Sequence, residues 1–216
     1  MLRPDAININ AVERVAADIG ELISDSGSSP LFNLSTAATE APGNAPAYDM
    51  TESFAVWAIN YDELMAAEKY PEVASLPKPI NRWHHQIRQD GKVTGYARSA
   101  SADADALSLR EFVDSALARQ ADRAISLLDE FEATDPAVQQ TDWTVRLLVV
   151  PAYQVYSFLL VDEKPEKNLV LLIHAPPQLD SIPRKKLISL ESFVMALRQA
   201  KPAAGLGSPD SDQELT

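Results

Sequence analysis

The chain has 216 residues, 46% of them hydrophobic, enough for one sizeable core with tails and too apolar for a disordered polymer. Its 19 Lys and Arg against 31 Asp and Glu give a formal charge of −12, which argues against a phosphate-binding surface and against a general attraction to anionic membrane. There is no cysteine, which removes disulfides, thiolate catalysis and Cys-ligated zinc, and fits a cytoplasmic location.

The opening segment "MLRPDAININAVERVAADIG" has no apolar h-region and does not read as a signal peptide. Within residues 1–24 the spacing predicts an amphipathic helix over 10–24, with Asn10 as cap and Glu13 at the third position of a capping box. Val12, Val15, Ala16, Ile19, Leu22 and Ile23 share one face. Residues 25–50, rich in Ser, Thr, Ala, Gly and Pro, read as a flexible linker, with Leu31, Phe32 and Leu34 as a local apolar anchor.

A globular domain is expected over 51–201. "SFAVWAIN" reads as a strand and "YDELMAAEKY" as a short helix that must stop near Pro71. "WHHQIRQDGKVTGYARS" is a hairpin around Asp90-Gly91. Ser108 and Glu111 form a second capping-box pattern, so a long helix is expected from Leu109 to Glu132. "WTVRLLVV", "YQVYSFLLV" and "NLVLLIHA" read as three apolar strands covered on both faces, or with one face on the core and the other on a partner, and "SLESFVMALRQA" as a final amphipathic helix. Residues 202–216 read as a disordered tail. The fold expected is α+β, a single domain with an antiparallel or mixed sheet of five to six strands, the long and C-terminal helices packed on it, and the N-terminal helix on its linker.

Strand alternation governs the paired histidines of "NRWHHQI". Trp83, His85 and Ile87 point to one face; His84, Gln86 and Arg88 point to the other, so the two imidazoles diverge. A two-residue turn places His85 opposite Tyr96 and Trp83 opposite Arg98, unless a bulge at Gly91 or Gly95 shifts the register. His174 ends an apolar strand just before two prolines. The candidate catalytic or ligand-binding residues are therefore His84, His85, His174, Tyr96 and Arg98, set against the simpler reading of ordinary sheet residues. The nucleophile-elbow, phosphate-loop, zincin and dinucleotide signatures are missing, and neither "DADA" nor "DSDQE" has calcium-loop spacing. No metal and no cofactor is expected.

These features suggest a non-catalytic protein-interaction module: an adaptor, cargo or assembly component that presents Val12, Val15, Ile19, Leu22 and Ile23 to a protein partner. A second copy of the chain is another candidate partner; nucleic acid and membrane are not. The helix either docks elsewhere, in which case deleting residues 1–45 leaves the thermal midpoint almost unchanged, or packs back on its own domain, in which case the midpoint drops. The alternatives are a hydrolase or small-ligand-binding protein with a histidine-containing site near the 83–98 hairpin, and an acidic inhibitor of a basic protein.

Overall fold

A computed structural model describes residues 1–7, 12–19, 48–68, 71–89, 91–103, 106–113, 116–200 and 202, with side chains throughout except at 48, 49, 89, 101–108 and 110–113. The fold is α+β. Strands β1 (Leu2–Pro4), β2 (Tyr48–Ala58), β3 (Lys78–Gln89), β4 (Lys92–Asp103), β5 (Ala106–Val113), β6 (Trp143–Val150), β7 (Val155–Val161), β8 (Leu169–His174) and β9 (Ile188–Ser189) form one mixed sheet. The order is β5-β4-β3-β2-β6-β7-β8-β9, with β1 paired in addition to β6. Among the described residues no helix is long and apolar enough to cross a membrane.

The helices are α1 (residues 12–19), α2 (Tyr61–Ala66), α3 (Ala116–Thr134), α4 (Pro136–Gln139) and α5 (Leu190–Gln199). On one face of the sheet, Ala121, Ala124 and Leu128 of α3 pack on Phe54, Leu147, Phe158 and Leu171. On the other face, Phe193, Val194 and Leu197 of α5 and Leu64 of α2 pack on Leu148, Leu159, Val170 and Leu172. The apolar runs of β6 to β8 are the sequence signature of strands buried on both sides.

Among the described residues the sheet has nine strands where the sequence suggests five to six. Two of the additional strands, β1 and β9, have three and two residues and leave no readable alternation. The third is β5, which occupies the start of the expected long helix. Backbone pairing with β4, including Ser99 with Leu109 and Ala97 with Phe112, overrides the local capping-box pattern at Ser108 and Glu111, so α3 begins at Ala116 rather than Leu109.

The N-terminal segment belongs to the sheet. Strand β1 runs parallel to β6, matching Leu2, Arg3 and Pro4 with Trp143, Thr144 and Val145. Farther along the same edge, Val56, Trp57 and Ala58 of β2 pair with Leu147, Leu148 and Val149. Arg146 sits at the join. Its guanidinium donates to both Asp5 carboxylate oxygens, at 2.9 and 3.1 Å, and lies 4.1 Å from the centre of the Trp57 ring. Helix α1 then lays Val15 and Ile19 on Ile87 and Ala97, with Ile7, Met50, Trp83 and Leu109 around them.

This changes the reading of the expected partner-binding face. Val15 and Ile19 are buried on the chain's own sheet and Val12 is half-buried, because the hairpin strands β3 and β4 would otherwise expose an apolar surface there. Leu22 and Ile23, the cap Asn10, the linker over 25–47 and the tail over 203–216 lie outside the described residues.

Two outcomes are expected. Asp5→Ala removes the partner of a guanidinium whose side chain is only 19% exposed, so urea unfolding should show a loss of about 1–3 kcal/mol. Deleting residues 1–45 strips β1, the Asp5 contact and two buried aliphatic side chains, and should lower the thermal midpoint by about 10 °C or more.

Candidate functional site

The 83–98 hairpin closes through Gln89 paired with Lys92, a two-residue turn that ends on Gly91 at φ 74°. The register then shifts: Arg88 pairs with Val93 but Ile87 with Gly95, which leaves Thr94 as an extra residue. The pairs beyond it are Gln86 with Tyr96, His85 with Ala97, His84 with Arg98 and Trp83 with Ser99. The expected oppositions of His85 with Tyr96 and Trp83 with Arg98 are therefore off by one residue.

Alternation sends the two histidines to opposite faces. On the α1 face, His85 is fully buried between hydroxyls, with Ser53 Oγ 2.8 Å from Nδ1 and Ser99 Oγ 2.7 Å from Nε2. A neutral imidazole donates from one nitrogen and accepts at the other, so two hydroxyls satisfy it. Burial lowers its pKa to about 4. Ser99 next to it is equally buried, so the contact has the atoms of a nucleophile–base pair but no room for a substrate.

On the α3 face, His84 stacks on Tyr96 with ring centroids 4.7 Å apart, and neither ring nitrogen has a hydrogen-bond partner. Its pKa falls to about 3, through burial first and then the positive charges of Arg98 and His85. Both imidazoles are neutral at pH 7 and too weakly basic to take protons there. Gln86 donates to the Ala118 carbonyl at 3.3 Å, and Arg88 donates to Asp122 at 2.9 Å, which ties the hairpin to the first turns of α3.

From Tyr96 a row of side chains runs across the sheet. Arg98 lies 5.0 Å from the centre of the Tyr96 ring and donates to the Tyr156 hydroxyl at 3.5 Å. Tyr156 and His174 have ring centroids 6.4 Å apart, and His174 Nδ1 donates to Gln120 Oε1 at 3.0 Å. Four of the five candidates, His84, Tyr96, Arg98 and His174, thus lie along one face in a row rather than around one point. His85 lies on the other face.

Beside this row the sheet carries a concavity of about 300 Å³. Val56 and Ala58 of β2 and Leu147 and Val149 of β6 make its floor. Arg82, Arg98, Gln154 and Tyr156 supply its polar groups, with Ile80 and Pro151 at the rim; among the described residues no carboxylate lines it. Two elements that shape it have unusual backbones. Between Val56–Arg82 and Trp57–Pro79 the register skips Ile80 and Asn81, and Asn81 has φ 52°. Gln154, which follows the tight turn Pro151–Tyr153, has φ 53°. Among the described residues these are the two non-glycine positions with positive φ, each costing about 1–2 kcal/mol unless its side chain offsets it, and both border the same concavity.

Arg82, Gln154 and Tyr156 are not among the sequence-derived candidates. Tyr156 is visible there only as one member of an apolar strand. Arg82 precedes the expected strand start at Trp83, and nothing but the tolerance of Asn81 for left-handed backbone hints at the bulge that turns it. Among the described residues no group of three or more His, Asp or Glu side chains is gathered to hold a metal ion.

No family model, curated protein or solved structure matches this chain.

The histidines give the fold a defined acid response. Their folded pKa values lie below the unfolded value of about 6.5, so the unfolded chain takes up more protons as pH drops below 6.5. Stability contributed above that pH is lost progressively toward pH 4 to 3. Between pH 7 and 5 the loss should be about 2 kcal/mol per histidine. Urea unfolding at pH 7, 6 and 5 should show it, and His84→Gln should flatten the slope by about half.

Proposed function

We propose that this chain is a non-catalytic binding protein for a small organic ligand, held in the concavity between the start of β3 and the β6–β7 turn. The observation that carries this reading is the lining itself: a continuous apolar floor with a few converging polar groups, at the lower end of the volume range of ligand sites. Left-handed backbone at Asn81 and Gln154, on both sides of it, supports the same reading.

The other readings have less support. A helix that docks into a partner's groove needs its apolar stripe, and Val15 and Ile19 are occupied at home. A hydrolase built on the hairpin histidines needs a base that is accessible and titrates near neutrality, and His84 and His85 do neither: both are buried, with pKa values lowered to about 3 and about 4. An acidic inhibitor rests on the charge of −12 alone.

Titration with a fragment library, followed by methyl shifts in the nuclear magnetic resonance spectrum, tests the proposal. Binders should move the Val56, Leu147 and Val149 methyls. Val149→Trp, which fills the concavity from a half-buried position, should weaken them about tenfold while leaving the fold intact. Shifts that map elsewhere, or binding untouched by Val149→Trp, would sink it.

A further inference from the structure

Resting on that reading, we infer that the ligand is an uncharged carbonyl compound with a hydrocarbon body, whose oxygen accepts a hydrogen bond from the Tyr156 hydroxyl. Tyr156 is half-buried in the lining, just beyond the Pro151–Tyr153 turn. Its oxygen accepts from Arg98 Nη2 at 3.5 Å, so its own hydrogen is left to donate. Among the described residues no acceptor takes that hydrogen. Gln154 lines the same concavity, is exposed, and its side-chain amide makes no hydrogen bond among the described residues. A phenol and an amide are neutral donors, and a carbonyl oxygen, with two lone pairs, can accept from either or both.

Charge favours a neutral occupant. Arg98 is already engaged: it lies 5.0 Å from the centre of the Tyr96 ring, it donates to Tyr156, and the register of β4 with β5 sets Glu111 opposite it. That guanidinium does not call for an anionic ligand. Arg82 is exposed, and an ion pair with a solvated, screened guanidinium adds little. A carboxylate or phosphate would lose hydration that these groups do not replace, in the field of a chain with a charge of −12. An ammonium would meet two guanidiniums, and among the described residues no carboxylate lines the site. Val56, Ala58, Leu147 and Val149 offer only aliphatic surface to the rest of the ligand. A volume of about 300 Å³ holds roughly ten water-sized groups at about 30 Å³ each, which suits a compound of about nine non-hydrogen atoms.

The test uses the full chain at pH 7 and three probes with similar hydrocarbon bodies and different heads: methyl hexyl ketone, octanoate and octylamine. Followed by the methyl shifts, the ketone should bind about tenfold or more tightly than either charged probe. Tyr156→Phe keeps the ring beside His174 and removes the hydroxyl, and should weaken the ketone about fivefold. In the infrared, the carbonyl stretch of the bound ketone should lie below its position in hydrocarbon solvent, and should move back toward it in Tyr156→Phe. Octanoate or octylamine as tight as the ketone overturns the neutral assignment and leaves the binding site standing. A ketone whose affinity and stretch are both indifferent to Tyr156→Phe overturns the hydroxyl contact, again with the site intact. If none of the three probes moves the Val56 and Leu147 methyls, the assignment and the proposed function fall together.

Discussion

Strand β6 offers one edge to two partners. Residues Trp143–Val145 take β1 and Leu147–Val149 take the end of β2, with Arg146 between them. Because β1 occupies the first part of that edge, β2 pairs with β6 only over its last residues, and its earlier part pairs with β3 alone. Irregular register along β2 accommodates the divergence, once between Met50 and Ser53 and again between Val56 and Trp57. The second irregularity is the one that skips Ile80 and Asn81, so the division of the β6 edge and the shape of the concavity share a strand. The Asp5–Arg146–Trp57 contact fixes the join, as a bidentate ion pair on a ring face does better than a single lysine contact would.

The polar groups inside the hairpin serve the fold more directly than any chemistry. His85 bridges β2 to β4 through Ser53 and Ser99 on one face, and His84 stacks on Tyr96 on the other. Each imidazole is tolerated because it is uncharged, and each would be expensive as a cation in the same place. The neutral state of His84 is also what lets Arg98 remain close by without repulsion. Tyr96 and Tyr156 both contact that guanidinium.

Much of the architecture is legible in the residues. The apolar runs of "WTVRLLVV" and "NLVLLIHA" point to strands covered twice, and "SLESFVMALRQA" to a helix with one buried stripe, because hydrophobic period reports burial directly. The alternation that separates His84 from His85 holds as well, since it depends only on the two-residue repeat of a strand. What the residues do not reveal is set by pairing at a distance. Ser108 and Glu111 promise a helix cap, yet β4 recruits that stretch as β5. Thr94 shifts every pair beyond it by one, and no side chain announces which residue will bulge. Arg82 and Gln154 reach the concavity through left-handed or bulged backbone, a property of the assembled sheet that a single strand pattern does not encode.

The position of β1 also bears on the order in which the molecule is completed. Leu2 pairs with Trp143, so during synthesis it leaves the ribosome about 140 residues before its partner strand, an interval of roughly 7 to 30 s at ordinary elongation rates. Until β6 emerges, Leu2–Pro4 has nothing to pair with, and the covering stripe of Val15 and Ile19 must wait for the hairpin that follows. Such distant pairing is the slow part of a folding reaction, because a long loop is closed before any contact rewards it. A nascent chain of this protein therefore carries Leu2–Pro4 without its partner strand until about 140 further residues have been made.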